Sequence, residues 1–324
     1  MSAEKLESDA IKRLNSWSPF GLGKSAKIED AAELFKQSAV QYKLARQFAK
    51  CAEMHARAAD CRAQIDDHFD AAKHWEEGGK FAAKDGDYAA AERMFSKAIE
   101  THKLRNRLQS AAKLEMALGE LLRDNDHPEA AIAAFQRCAD LAEMEDKTVQ
   151  QHKAMLAIAH LSAQVGDYST AVQQFDAVAR ASLDNRLAAH SCTEYFFKAM
   201  CCRLCQDETC SDIDSLTESL ERYADMYPPF ENTREHRLLS QLLSVYVKQD
   251  LDAWATACYE FEQIVPLRDF EGVLLLKAKK QLGSIDPIAA MEAQANEDVI
   301  DAAAHAGVEL EEGIGDEFPE VDLR

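Results

Sequence analysis

The chain has 324 residues, with 37 Lys plus Arg against 57 Asp plus Glu and a formal net charge of −20 at neutral pH. Hydrophobic residues make up 47%, enough for a packed core, which excludes wholesale disorder. The acidic balance excludes a nucleic-acid backbone as the main partner, because phosphate binding relies on dense Lys and Arg. Only 19 residues are Gly or Pro, against 54 alanines. Alanine is the best helix former, and sandwiches or barrels need many turn residues, so the composition predicts an all-α chain.

The first residues, MSAEKLESDAIKRL, lack the apolar core of a secretion signal, and no apolar run reaches the roughly 20 residues that span a bilayer. A cytoplasmic protein is expected, and its nine cysteines read as reduced thiols rather than a disulfide framework. The segment Ser18-Pro-Phe-Gly-Leu-Gly-Lys-Ser25 ends like a phosphate-binding loop. Ser18 occupies its first Gly position and no strand precedes it, so nucleotide binding is rejected there. Trp17, Phe20 and Leu22 instead give this short glycine-bearing loop an apolar tip. Membrane or partner contact competes with packing onto the first helix as its role.

Internal repetition dominates the next stretch. The segments 87–100, 127–140 and 167–180 align so that Phe95, Phe135 and Phe175 are evenly spaced, as are Ala91, Ala131 and Ala171. One step earlier Cys51 takes the alanine position and His55 the aromatic one. The intervening helices keep the same period in Ala31-Ala32, Ala71-Ala72 and Ala111-Ala112. Gly-Asp-Tyr at 86–88 and 166–168 marks turns, with Asp87 and Asp167 expected as N-caps and Pro128 at a helix start. The period lies between the usual tetratricopeptide and HEAT lengths. These features predict a tetratricopeptide-like α-solenoid of helical hairpins, a right-handed superhelix with a C-terminal helical bundle. Its expected parts are an N-terminal segment 1–27 with the apolar loop, repeats over 28–185, further hairpins over 186–283, and an acidic tail 284–324. Part of that tail, 288–306, reads as a short helix, followed by a Gly-rich acidic segment expected to be mobile.

Cys201, Cys202, Cys205 and Cys210 form a cluster with one CxxC spacing. Structural zinc uses separated ligand pairs on turns, whereas three of these thiols fall within the helical run EYFFKAMCCRLC, so buried thiols are the default. No catalytic constellation, metal site or cofactor is expected. The informative charges are basic: Lys73, Lys113 and Lys153 recur with the same period as the aromatics, the same place on successive hairpins. A solvated face is their ordinary fate. On so acidic a chain, a basic ladder also suits an elongated acidic partner.

Four stretches carry a family resemblance: Lys27-Ile-Glu-Asp-Ala with the aromatic loop just upstream, Glu194-Tyr-Phe-Phe-Lys-Ala199, Asn232-Thr-Arg-Glu235 and the terminal Asp322-Leu-Arg324. In order and spacing the chain resembles the soluble NSF attachment proteins of the alpha/beta type over essentially its whole length. The resemblance implies a non-enzymatic adaptor, peripheral on membranes, that coats the assembled SNARE four-helix bundle and recruits the hexameric ATPase NSF to disassemble it. A generic helical-repeat scaffold is the alternative. The resemblance further implies SNARE contacts at Arg107, Lys113, Lys153 and Arg234, with Lys43, Arg46 and Lys198, beside the ladder residue Lys73. It implies membrane contact through Trp17, Phe20 and Leu22, and ATPase stimulation through Leu323. Departures stand at Ala157 and Thr193, where lysines are expected, and at Ser244, Val247 and Lys248, where acids are expected.

Overall fold

The computed structural model describes residues 2–16, 23–206, 213–267 and 269–284. Trp17, Phe20, Leu22, Cys210, the helix expected at 288–306 and Leu323 lie outside them. The described chain is helical, without strands among the described residues. It divides into two compact units, 1–202 and 203–324.

The first unit holds α1 (Ala3–Asn15), α2 (Lys24–Leu44), α3 (Phe48–Gln64), α4 (His68–Asp85), α5 (Tyr88–Leu104), α6 (Leu108–Arg123), α7 (Pro128–Met144), α8 (Thr148–Val165), α9 (Tyr168–Leu183) and most of α10 (Cys192–Gln206). From α1 to α9 each helix packs on its neighbours in the chain, the packing expected of a helical-repeat array. The evenly spaced matches are its core. Ala71, Ala91, Ala111, Ala131 and Ala171 are fully buried, and Phe95, Phe135 and Phe175 are buried with them. His55 takes the aromatic position as anticipated, buried and stacked on Phe81 at 5.8 Å.

Phe95 and Phe135 are each received by a glycine on the preceding helix. A Cβ on Gly119 would stand 2.5 Å from the Phe135 ring, and one on Gly79 would stand 3.0 Å from Phe95. Positions 39 and 159 carry buried alanines in the same register. The pattern places a large knob from one helix into a notch on its neighbour, so both partners repeat with one period.

The turns repeat twice as often. Residues with left-handed backbone occur at Arg46, Asp66, Gly86, Asn106, Asp126, Asp146 and Gly166. After each, the next N–H bonds the carbonyl five residues back, as in Arg107 to His102 and Asp167 to Ser162, both 2.8 Å. This is the Schellman closure of a helix C-terminus. Each helix with its turn therefore spans half the aromatic period, and two make the hairpin. Asp87 and Asp167 cap α5 and α9 through bonds from Ala90 N and Thr170 N at 2.9 and 3.0 Å. Pro128 opens α7, where its missing N–H costs no helical bond.

The second unit contains α11 (Ile213–Met226), a 3₁₀ turn at Pro228–Asn232, α12 (Arg234–Lys248), α13 (Leu251–Glu262) and α14 (Asp269–Leu282). Tyr223, Phe230, Leu239, Leu242 and Trp254 are buried in it. Thr233 caps α12 by accepting from His236 N at 3.2 Å, which explains the Asn-Thr-Arg-Glu stretch at 232–235 as a helix start. The Cys205 thiol donates to the Leu274 carbonyl at 3.1 Å, and burial pushes that thiol up to about 11. Cys201 and Cys202 are buried as well, so these three thiols pack as small apolar groups.

Candidate functional site

Lys73, Lys113 and Lys153 lie on α4, α6 and α8, at the same position counted from each helix's start, and all three are exposed. The near-equal helix lengths and Schellman turns carry this register from one hairpin to the next. Between α6 and α8 lies a groove of about 730 Å³ lined by Lys113, Met116, Ala117, Val149 and Lys153. Its lining combines apolar Met116, Ala117 and Val149 with both signs of charge, Lys113, Lys147 and Lys153 against Glu120 and Asp146. Lys153 reaches Glu120 at 3.4 Å, and Val149, 86% exposed, stands at the groove edge.

A second cluster surrounds buried Phe81: Lys43 Nζ lies 5.3 Å and Lys84 Nζ 5.5 Å from the ring centre, and the ring stacks on Phe48 and His55. Lys43 belongs to a hollow of about 420 Å³ with Glu77, Lys80 and Leu121. Beneath it His55 and His74 meet through their Nδ1 atoms at 3.1 Å. Burial, helped by the neighbouring His74, pushes His55 down to about 4, and burial likewise lowers His74. Both rings are held neutral at physiological pH.

The remaining expected residues divide in character. Arg46 is exposed at its left-handed turn. Arg107 occupies the N-cap of α6, with its guanidinium 4.3 Å from the Phe69 ring centre, while Lys73 Nζ sits 3.8 Å from that ring. Arg234 is the first residue of α12, exposed, in the second unit. Lys198 differs from all of these. It is 5% exposed and donates to Glu194 Oε1 at 2.6 Å, with His160 Nε2 at 3.4 Å. Burial and the Lys198 charge push His160 down to about 4. Of the departures, Ala157 packs partly buried against the core, whereas Ser244, Val247 and Lys248 are exposed on α12.

Sequence reasoning missed Lys147, which lines the groove between α6 and α8, and Phe69 and Arg105, which line a separate hollow with Arg107. Phe69 was detectable in principle, since it precedes Lys73 by one helical turn and so shares its face. Lys147 follows Arg107 by one repeat, both at helix N-caps, so that spacing points to it, whereas Arg105 lies at the end of α5, where no periodicity does.

A family model described as "Soluble NSF attachment protein, SNAP" matches residues 1–283. The chain is 31% identical to the vesicular-fusion protein SEC17 of Komagataella phaffii over 295 residues, covering 89% of this chain and 97% of that protein. It is 29% identical to the beta-soluble NSF attachment protein of Bos taurus over 284 residues, covering 86% and 93%. It is also 29% identical to the alpha-soluble NSF attachment protein of Mus musculus over 275 residues, covering 84% and 90%.

Proposed function

The chain belongs to the soluble NSF attachment protein family, and on that premise we propose that it binds assembled SNARE complexes through its basic face and recruits the NSF ATPase to take them apart. It is an adaptor in vesicle fusion, not an enzyme. No helix of the described residues is long and apolar enough to cross a membrane.

The observation that carries the finer reading is the exposed ladder Lys73, Lys113 and Lys153, held in register on alternate helices of a chain with net charge −20. Repeating a cation at one position of successive hairpins in an acidic molecule favours an elongated acidic partner and steers its approach. Arg46, Arg107 and Lys43 would extend that face, and Arg234 would add a contact from the second unit. Lys198 would act indirectly, through the Glu194 and His160 contacts that hold it. Trp17, Phe20 and Leu22 would supply the membrane contact, and Leu323 the ATPase stimulation. The acidic residues 285–324, twelve acids against one arginine, suit basic domains of the ATPase. Exposed Val247 and Lys248, standing where acids are expected, would shift that contact toward the tail.

Charge reversal at Lys113, Lys153 and Arg234 together tests the face. The triple variant is expected to lose binding to assembled SNARE bundles while keeping its helical signal and thermal midpoint. Normal binding by a folded triple variant overturns the assignment. Equal binding of wild type to single SNARE chains and to the four-helix bundle would instead support a general scaffold.

A further inference from the structure

Phe69 is the second residue of α4 and is 45% exposed. Two cations lie against its ring: Lys73 Nζ at 3.8 Å from one turn along the same helix, and the Arg107 guanidinium at 4.3 Å from the start of α6. The repeat does not require an aromatic here. In the same register α6 carries Gln109 and α8 carries Val149, and both helices form without one.

The ring also competes with carboxylates for these cations. Asp70 lies 3.5 Å from Lys73, and Asp66 and Asp67 share a hollow of about 370 Å³ with Phe69, Arg105 and Arg107. Those two acids have other engagements: Asp67 caps α4 and pairs with Arg62, and Asp66 lies near His68. A carboxylate partner would cancel a cation's charge. An aromatic face fixes its position and leaves the charge available to a third group; at Lys73 the Asp70 carboxylate 3.5 Å away offsets part of that charge.

From this geometry we infer that Phe69 is a positioning residue for the acidic partner of the basic face, holding Lys73 and Arg107 together as one double cation. The inference rests on the proposed function, and it adds a determinant that charge patterning alone omits. Such a paired cation suits adjacent carboxylates on one partner helix better than a single isolated acid.

The test is a titration of the full chain against purified, assembled four-helix SNARE bundle at fixed salt. Phe69→Leu, which keeps an apolar side chain but no π-face, is expected to weaken binding about threefold to fivefold, the value of a surface cation–π contact. Phe69→Tyr restores the face and is expected to bind within about twofold of wild type, since a phenol ring retains the cation–π attraction. In a Lys73→Ala/Arg107→Ala background, Phe69→Leu is expected to cost nothing further. Wild-type affinity for Phe69→Leu overturns the inference. So does an undiminished loss in the double-alanine background, which would mean that the ring touches the partner directly. If the Lys113/Lys153/Arg234 reversal abolishes binding while Phe69→Leu is neutral, the clamp fails and the face stands. If that reversal is neutral, or if wild type does not bind the bundle, the underlying reading falls and the clamp with it.

Discussion

Replacing Gly119 by Ala probes the contact that spaces the repeat. The new Cβ would stand 2.5 and 2.6 Å from two carbons of the Phe135 ring, about 1 Å inside an ordinary carbon–carbon contact. Phe135 is fully buried, so the ring cannot swing into solvent, and either α6 or α7 must move. Overpacking of this kind costs about 1–3 kcal/mol. The helix-propensity gain from Gly to Ala, about 1 kcal/mol, offsets part of it. A 2.5 Å approach to a ring that cannot swing away belongs at the upper end of that cost, so the net expectation is a loss of about 2 kcal/mol, or roughly 4–8 °C in thermal midpoint for a unit of this size. Gly79→Ala, whose Cβ would lie 3.0 Å from Phe95, is expected to lose less. Urea denaturation followed by circular dichroism measures both. The mechanism also predicts coupling: Phe135→Leu should cost less in the Gly119→Ala background than alone, since it removes the clashing ring atoms. A Gly119→Ala chain as stable as wild type, or additive behaviour of the pair, would refute the knob-and-notch account.

Backbone conformation and titration supply two more tests. At Gly86 and Gly166, with φ of +88° and +91°, nothing lies within 4 Å of an added Cβ. Alanine there should therefore cost about 1 kcal/mol from conformation alone, seen as a lower urea midpoint with an unchanged slope. His55, facing His74, Glu77 and Lys43, and His160, facing Lys198 and Glu194, are both held near 4, below the ordinary 6.5. The unfolded chain takes up protons first, so their contribution is intact above pH 6.5, declines as pH falls toward 4, and levels off below that. Each histidine accounts for a loss on the order of 3 kcal/mol at most. Urea midpoints at pH 7.5 and 5 should fall accordingly, with a shallower fall for His55→Phe/His160→Gln; identical slopes would contradict the burial argument.

The aromatic half of the repeat was legible because Phe95, Phe135 and Phe175 are conspicuous and evenly spaced. The receiving half was not, because Gly79 and Gly119 inside helices read as weak helix formers rather than as notches. The shorter turn period was hidden for a different reason. What recurs at Arg46, Asp66, Asn106, Asp126 and Asp146 is a backbone conformation closed by main-chain hydrogen bonds, and five positions carry three residue types. Only Gly86 and Gly166 declare it by identity. Of the candidate site, the ladder was readable from spacing. The burial of Lys198 was not: its partner Glu194 is visible one turn earlier, but His160 comes from two helices back. Phe69 escaped because its second cation, Arg107, arrives from a helix start far along the chain.

The central claim is that this chain couples an ATPase to SNARE bundles, and reconstitution tests it most directly. Purified chain, assembled SNARE complex and an NSF-type ATPase are mixed, and disassembly is followed with and without ATP. The account predicts ATP-dependent disassembly that requires the chain, is lost on reversal of Lys113, Lys153 and Arg234, and is reduced by Leu323→Ala with SNARE binding intact. Disassembly that proceeds equally without the chain, or a chain that binds the bundle yet never supports disassembly, would contradict it.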